Sequence, residues 1–107
     1  MYLNDIQDAM HRISEYIIGY DFDTFRNDNK TIDAVIRNLE IIGEASKNLP
    51  DDVKFKYVEV PWQEMYYLRN KVSHEYFGID YEIIWDLITN YLPENKLQID
   101  KILESEK

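Results

Sequence analysis

Two residues of this 107-residue chain, Arg69 and His74, have side chains suited to phosphodiester chemistry. His74 titrates near neutral pH and can carry a proton, while Arg69 offers a permanent planar charge that matches phosphate oxygens. In RNA, the 2′-hydroxyl beside a phosphodiester attacks the phosphorus once a base has removed its proton. A site without a metal therefore needs a proton carrier and a cation for the developing charge. His74 and Arg69 fit these two roles.

The spacing of this pair complicates a site within one subunit. On an ideal helix, a five-residue separation places two side chains about 140° apart, so Arg69 and His74 do not share a face. Either the helix is distorted near Ser73, or two copies of the motif meet across a symmetric dimer. Tyr76 follows Arg69 by seven residues and returns to its face. By chance alone, roughly one protein of this length in ten has such an Arg and His pair, so the pair by itself is weak support.

The surroundings of the pair are less acidic than the rest of the chain. Residues 61–80 carry two basic and three acidic side chains, against a net charge of −9 overall. That charge opposes broad binding to nucleic acid, so a site acting on RNA has to be locally basic. Lys71 adds a second cation, and Asn70 and Ser73 can hydrogen-bond a phosphate or position His74, although surface solvation explains them nearly as well.

Composition excludes several other classes of site. The chain has no cysteine and only two histidines, His11 and His74, which argues against disulfides, zinc and redox chemistry. His11 has no carboxylate or second histidine at ligand spacing, and we interpret it as structural. Asp21 and Asp23 are typical of cap and turn chemistry. The sequence shows no targeting segment or membrane span, which predicts a cytoplasmic protein. The scarcity of metal-ligand side chains predicts a protein without a metal or other cofactor.

Apolar residues recur at steps of three and four along most of the chain, which predicts amphipathic helices. We expect helices over Tyr2–Tyr20, from about Ile32 to Pro50, from Pro61 toward Tyr76, and from an Asp80 cap to Tyr91. A polar stretch over residues 21–30 separates the first two helices, and a short helical turn follows Pro50. We expect the third helix to end at Gly78 and the chain to kink or restart its helix at Pro93. The expected fold is all-α: an up-and-down bundle of four main helices plus a short C-terminal helix, in a single domain over residues 1–107.

The second predicted helix has a second apolar stripe, formed by Ala34, Ile41 and Ala45. This stripe lies nearly opposite the first. Two interpretations have equal weight: the stripe faces a partner, or the helix is the central one of the bundle and is apolar all round.

The motif around Arg69 resembles that of a known family, the HepT-like HEPN proteins. The resemblance covers nearly the whole chain and rests on two segments at the separation that this family shows. The matching residues are Pro61-Trp62-Gln63-Glu64-Met65 through Arg69-Asn70 and His74-Glu75-Tyr76, together with Ile41-Ile42-Gly43-Glu44-Ala45.

The resemblance implies a HEPN-like helical toxin of a type II or type VII toxin–antitoxin system. Such a toxin cleaves RNA without a metal and works as a homodimer, with Arg69 and His74 at the interface. It also implies a small nucleotidyltransferase antitoxin that transfers AMP onto Tyr76, which would place negative charge beside Arg69. Apart from the resemblance, residue type alone suggests that Glu44 of the second predicted helix forms an ion pair with Arg69 across helices, although a solvated glutamate is more common. The alternative is a catalytically silent HEPN module that serves as a binding partner of a nucleotidyltransferase.

Overall fold

The computed structural model of this chain describes residues 2–66 and 80–106, and these residues form helices without any strand. This confirms the all-α prediction. The elements are α1 (Tyr2–Tyr16), α2 (Phe22–Arg26), α3 (Asn29–Asn48), α4 (Asp51–Lys56), α5 (residues 62–66), α6 (Tyr81–Asp86), a π-helical turn (Leu87–Tyr91) and α7 (Leu92–Ser105). Helix α1 packs along α3 and also against α7, while α2 packs against α3 and α6.

The core lies between these helices. It combines the predicted apolar faces of α1, α3 and α7 with buried side chains from α2 and α5. Its fully buried side chains come from α1, α2, α3, α5 and α7. They are Ile6, Ala9, Met10, Ile13, Phe25, Val35, Leu39, Ile42, Met65 and Ile99. Each large aliphatic or aromatic side chain buried in this way contributes about 1.5–3 kcal/mol relative to exposure to water.

The segment after α1 differs from the prediction. Helix α1 ends at Tyr16 and not at Tyr20, because Gly19 adopts a φ of +78°, a left-handed conformation that interrupts a right-handed helix. The polar stretch that follows contains the unpredicted helix α2. Phe25 of α2 is fully buried, and its ring lies 5.1 Å from that of Trp85. One buried aromatic side chain therefore anchors an otherwise polar segment.

Helix α3 has the boundaries that its neighbouring residues dictate. The Asp28 side chain accepts a 3.1 Å hydrogen bond from the Thr31 backbone N–H and so caps the first turn. Leu49 is extended, with φ −64° and ψ 139°, because a residue before proline avoids the helical region. The predicted end at Pro50 is confirmed. On the second stripe of this helix, Ala45 is buried, while Ala34 and Ile41 are only half-buried.

The C-terminal part is one helical run from Tyr81 to Ser105. Before Pro93, the Leu92 N–H donates to the Leu87 carbonyl oxygen, five residues back, which is the pattern of a π-helix. Pro93 then lies in the first turn of α7, where a missing N–H costs little. The helical run therefore continues through Pro93 without a break, and only its hydrogen-bond pattern changes there. The expected short C-terminal helix has 14 residues, close to the 15 of α1.

None of the helices in residues 2–66 and 80–106 is long and apolar enough to cross a membrane.

Candidate functional site

The predicted site residues lie between two segments that the structure describes. Arg69, Asn70, Ser73, His74 and Tyr76 all lie outside the described residues. The described chain reaches Tyr66 on one side of them and resumes at Asp80 on the other. Helix α5 precedes these residues in the chain and helix α6 follows them, and both helices are attached to the core.

The N-terminal flank is fixed to the core through α5. Trp62 is 8% exposed, and its indole Nε1 donates a 3.0 Å hydrogen bond to the Tyr57 carbonyl oxygen. One turn later, Met65 is 1% exposed, and its N–H donates to the Pro61 carbonyl oxygen at 3.0 Å. Two buried side chains therefore set the direction in which the chain continues toward Arg69.

A second link joins α5 to α3. The Lys47 ammonium lies 5.8 Å from the centroid of the Tyr66 ring. This distance is near the outer limit of a cation–π contact, and Lys47 is exposed. The contact therefore stabilises the protein by about 1 kcal/mol at most. Most of the positioning of α5 thus comes from Trp62 and Met65.

The C-terminal flank begins at a helix cap. The Asp80 carboxylate accepts hydrogen bonds from the backbone N–H groups of Glu82 at 3.0 Å and Ile83 at 3.4 Å. These are donors that the first turn of a helix leaves unpaired. Ile84 and Ile88, 4% and 2% exposed, then fix the run to the core. The predicted Asp80 cap is confirmed.

A hydrogen bond between the half-buried Arg12 and the buried Asn38 connects α1 and α3. Asn38 is 4% exposed, and its Oδ1 accepts a 2.8 Å hydrogen bond from Arg12 Nε. Its Nδ2 donates to the Ala34 carbonyl oxygen, also at 2.8 Å. Both polar groups of the amide are therefore satisfied, as burial requires. Periodicity did not identify this pair, because apolar spacing gives no signal for a paired polar residue.

Two carboxylates hold helices in place. Burial favours a higher pKa for Asp100, but hydrogen bonds from Gln7 and Lys96 outweigh it and hold this pKa below its usual value. The Tyr20 hydroxyl, which donates a 2.6 Å hydrogen bond to Asp28, and Thr31 lower the pKa of Asp28. Asp100 joins α7 to α1, and Asp28 joins the start of α3 to the segment after α1. Both carboxylates therefore stabilise the fold.

The remaining polar candidates make local contacts. His11 Nε2 lies 2.9 Å from Glu15 Oε1 on the exposed face of α1, so the expectation that His11 has no carboxylate at suitable spacing was wrong. Asp21 caps α2 through Thr24, as predicted for cap chemistry. Within the described part of the chain, no group of three or more His, Cys, Asp or Glu side chains is arranged to hold a metal ion. Glu44 is half-buried on α3, and its expected contact with Arg69 lies outside the described residues.

Comparisons with known proteins give a consistent family. The model of the family described as ribonuclease HepT-like matches residues 6–102. A protein of Methanocaldococcus jannaschii named as a candidate RNase is 48% identical, over 96% of this chain and 85% of its own length. A protein of Thermococcus cleftensis named as a probable ribonuclease HepT is 45% identical, over 94% of this chain and 92% of its own length. No solved structure matches the chain. The chain belongs to the HepT-like ribonuclease family.

Proposed function

We propose that this chain is a metal-independent endoribonuclease that acts as the toxin of a toxin–antitoxin pair. The observation that carries the proposal is the match to the HepT-like ribonuclease family over residues 6–102, a span that includes the whole segment from Arg69 to His74. We also propose that residues 1–107 form a single HEPN domain and that the protein acts in the cytoplasm.

In the proposed reaction, His74 removes the proton from an RNA 2′-hydroxyl. The resulting oxygen attacks the adjacent phosphorus, and the bond from phosphorus to the 5′-oxygen breaks. The leaving 5′-oxygen takes up a proton from water, so a 2′,3′-cyclic phosphate and a 5′-hydroxyl form, and His74 then releases its proton to solvent. Arg69 binds the scissile phosphate and stabilises the additional negative charge of the transition state. Asn70 and Ser73 support the site by hydrogen bonds to the phosphate or to His74.

The active species is proposed to be a homodimer. Because Arg69 and His74 are about 140° apart on an ideal helix, one copy does not present both to the same phosphate. Two copies related by a twofold axis bring Arg69 of one subunit toward His74 of the other. This arrangement also brings the motif cations Arg69 and Lys71 of two chains together, so the site is locally basic although each chain carries a net charge of −9.

Tyr76 is the proposed point of control. Its hydroxyl oxygen attacks the α-phosphorus of ATP in the active site of a nucleotidyltransferase antitoxin, and pyrophosphate leaves. The added AMP carries negative charge next to Arg69 and competes with the RNA phosphate for it. Labelled ATP and the antitoxin test this step. Tyr76→Phe should lose the label and Tyr66→Phe should keep it, whereas undiminished labelling of Tyr76→Phe rules out Tyr76 as the sole acceptor.

The chain's two histidines allow a matched test of the nuclease. Purified wild-type protein should cleave RNA in the presence of a chelator, and so should His11→Ala, which alters an exposed residue on α1. Arg69→Ala and His74→Ala should lose cleavage while keeping the circular dichroism of the wild type. Equal cleavage by His74→Ala would contradict the proposed mechanism.

A second candidate is supported by the acidic charge of −9. It is a catalytically silent HEPN module that binds a nucleotidyltransferase. In the same assay it predicts no cleavage by the folded wild-type protein or by any variant.

A further inference from the structure

A groove lies between the start of α5 and the helical run α6, π-turn and α7. Its volume is about 770 Å³, within the range of clefts that bind ligands. Met65, Leu87 and Leu92 contribute apolar surface to its lining, together with the more exposed Ile83 and Tyr91. Ile83 and Tyr91 are 39% and 56% exposed, so the apolar surface is open to a partner.

Acidic side chains accompany this apolar surface. Glu59, Glu64, Asp86 and Glu94 line the groove, and all four are exposed. The described residues that line the groove include no lysine or arginine. None of the salt bridges within residues 2–66 and 80–106 involves these four carboxylates. The groove thus combines an apolar lining with a negative charge that remains to be matched.

Gln98 connects the lining of the groove to the segment before α5. Its Nε2 donates a 3.2 Å hydrogen bond to the Glu59 carbonyl oxygen, and the residue lines the groove. Its Oε1 is buried below the surface of the groove, so a docked partner makes its contacts with the apolar side chains and the carboxylates.

Charge and polarity together select the occupant. RNA is a polyanion and is repelled by the four carboxylates. A small polyamine would match the charge but would leave the apolar lining uncovered. A helix with lysines or arginines beside a stripe of apolar residues matches both features.

We propose that this groove is a docking site for a cationic amphipathic helix of a partner protein. Apolar residues of that helix cover Leu87 and Tyr91, and its basic residues pair with the carboxylates. This inference does not depend on the proposed nuclease reaction, because it uses none of the motif residues.

Three synthetic peptides with a fluorescent label test the proposal against the whole chain by anisotropy. The first has leucines at helical i, i+3, i+4 and i+7 spacing and lysines elsewhere. The second replaces its lysines by glutamates, and the third is a scramble of the first. The first peptide should bind, and the other two should bind at least about tenfold more weakly, since a misplaced or reversed charge loses the ion pairs.

A matched pair of triple variants separates the groove from overall charge. Glu59→Gln/Glu64→Gln/Glu94→Gln should weaken binding of the first peptide by about tenfold, from the loss of three partly screened ion pairs. Asp8→Asn/Asp33→Asn/Glu104→Gln removes the same charge from exposed positions outside the lining and should weaken binding less than about threefold. Tyr91→Ser, at an exposed position, should also weaken binding.

Several results would overturn the proposal. Equal weakening by the two triple variants would show general attraction to an acidic protein, and so would equal binding of the scrambled peptide. No binding of the first peptide would refute the proposed chemistry of the occupant. A change of oligomeric state confined to the groove variant would assign the groove to a second copy, and a selective loss of RNA binding by that variant would assign it to RNA.

Discussion

The indole Nε1 of Trp62 donates a 3.0 Å hydrogen bond to the backbone carbonyl oxygen of Tyr57, across the connection between α4 and α5. Tyr57 is the C-cap of α4, and Trp62 lies at the start of the helix from which the chain continues toward Arg69. The bond therefore fixes the position of α5 relative to α4 and the core.

Trp62→Phe should lower the free energy of unfolding by about 1–2 kcal/mol, because it removes this hydrogen bond and part of a buried ring. Urea denaturation measures the change. Trp85→Phe is the control, since the half-buried Trp85 makes no indole hydrogen bond with the described residues and retains its contact with Phe25. A smaller loss for Trp62→Phe than for the control would contradict the role given to the bond.

Asp80→Ala should destabilise the protein by about 1 kcal/mol through loss of the α6 cap, whereas Asp80→Asn should cost only a few tenths. Hydrogen exchange locates the effect, since the amides of Glu82 and Ile83 should exchange faster in the alanine variant alone. If exchange at these two amides stays as in the wild type, Asp80 is not the cap.

Asp100 predicts a pH-dependent contribution to stability. Its pKa in the folded protein lies below the ordinary value of 3.8, so its contribution is present above that pH and is lost as the pH falls through the lower folded value. At neutral pH, Asp100→Asn should be less stable than the wild type by roughly 0.5–1 kcal/mol, because Asp100 is partly exposed.

Urea denaturation at pH values from neutrality to below 3.8 measures this difference, which should shrink at the acidic end. Asp8→Asn on the exposed face of α1 controls for the loss of one negative charge. A difference for Asp100→Asn that stays constant across this range would refute the linkage.

Mixing two inactive variants tests the proposed dimeric site. In a heterodimer of Arg69→Ala and His74→Ala, one composite site retains both groups, so free exchange of subunits should restore up to about a quarter of wild-type cleavage. Native mass spectrometry verifies the exchange. Heterodimers that form and remain inactive would argue for a site within one subunit.

The sequence pattern was sufficient for α3 and α6 and for the boundaries at Pro50 and Asp80, because each follows from local spacing or from one residue's backbone preference. The predicted helix from Pro61 toward Tyr76 is described only as far as Tyr66, and its predicted end at Gly78 lies outside the described residues. The pattern failed at α2, where the single buried Phe25 depends on a distant contact with Trp85. The end of α1 depended on the conformation of Gly19, and the continuity through Pro93 on a π-turn that no periodicity indicates.

The candidate site is predicted as a motif, and its geometry lies outside the described residues. Arg69, His74 and Tyr76 were identified by residue type, spacing and family resemblance. The hydrogen bond between Arg12 and the buried Asn38 was missed, and so was the acidic groove, because both bring together residues far apart in the chain.

The chemical ends of cleaved RNA test the central claim most directly. Mass spectrometry of the products formed by the purified protein in a chelator should find 2′,3′-cyclic phosphates and 5′-hydroxyls, absent with His74→Ala. Products ending in 3′-hydroxyls and 5′-phosphates, or the same products from His74→Ala, would contradict the proposed roles of Arg69 and His74.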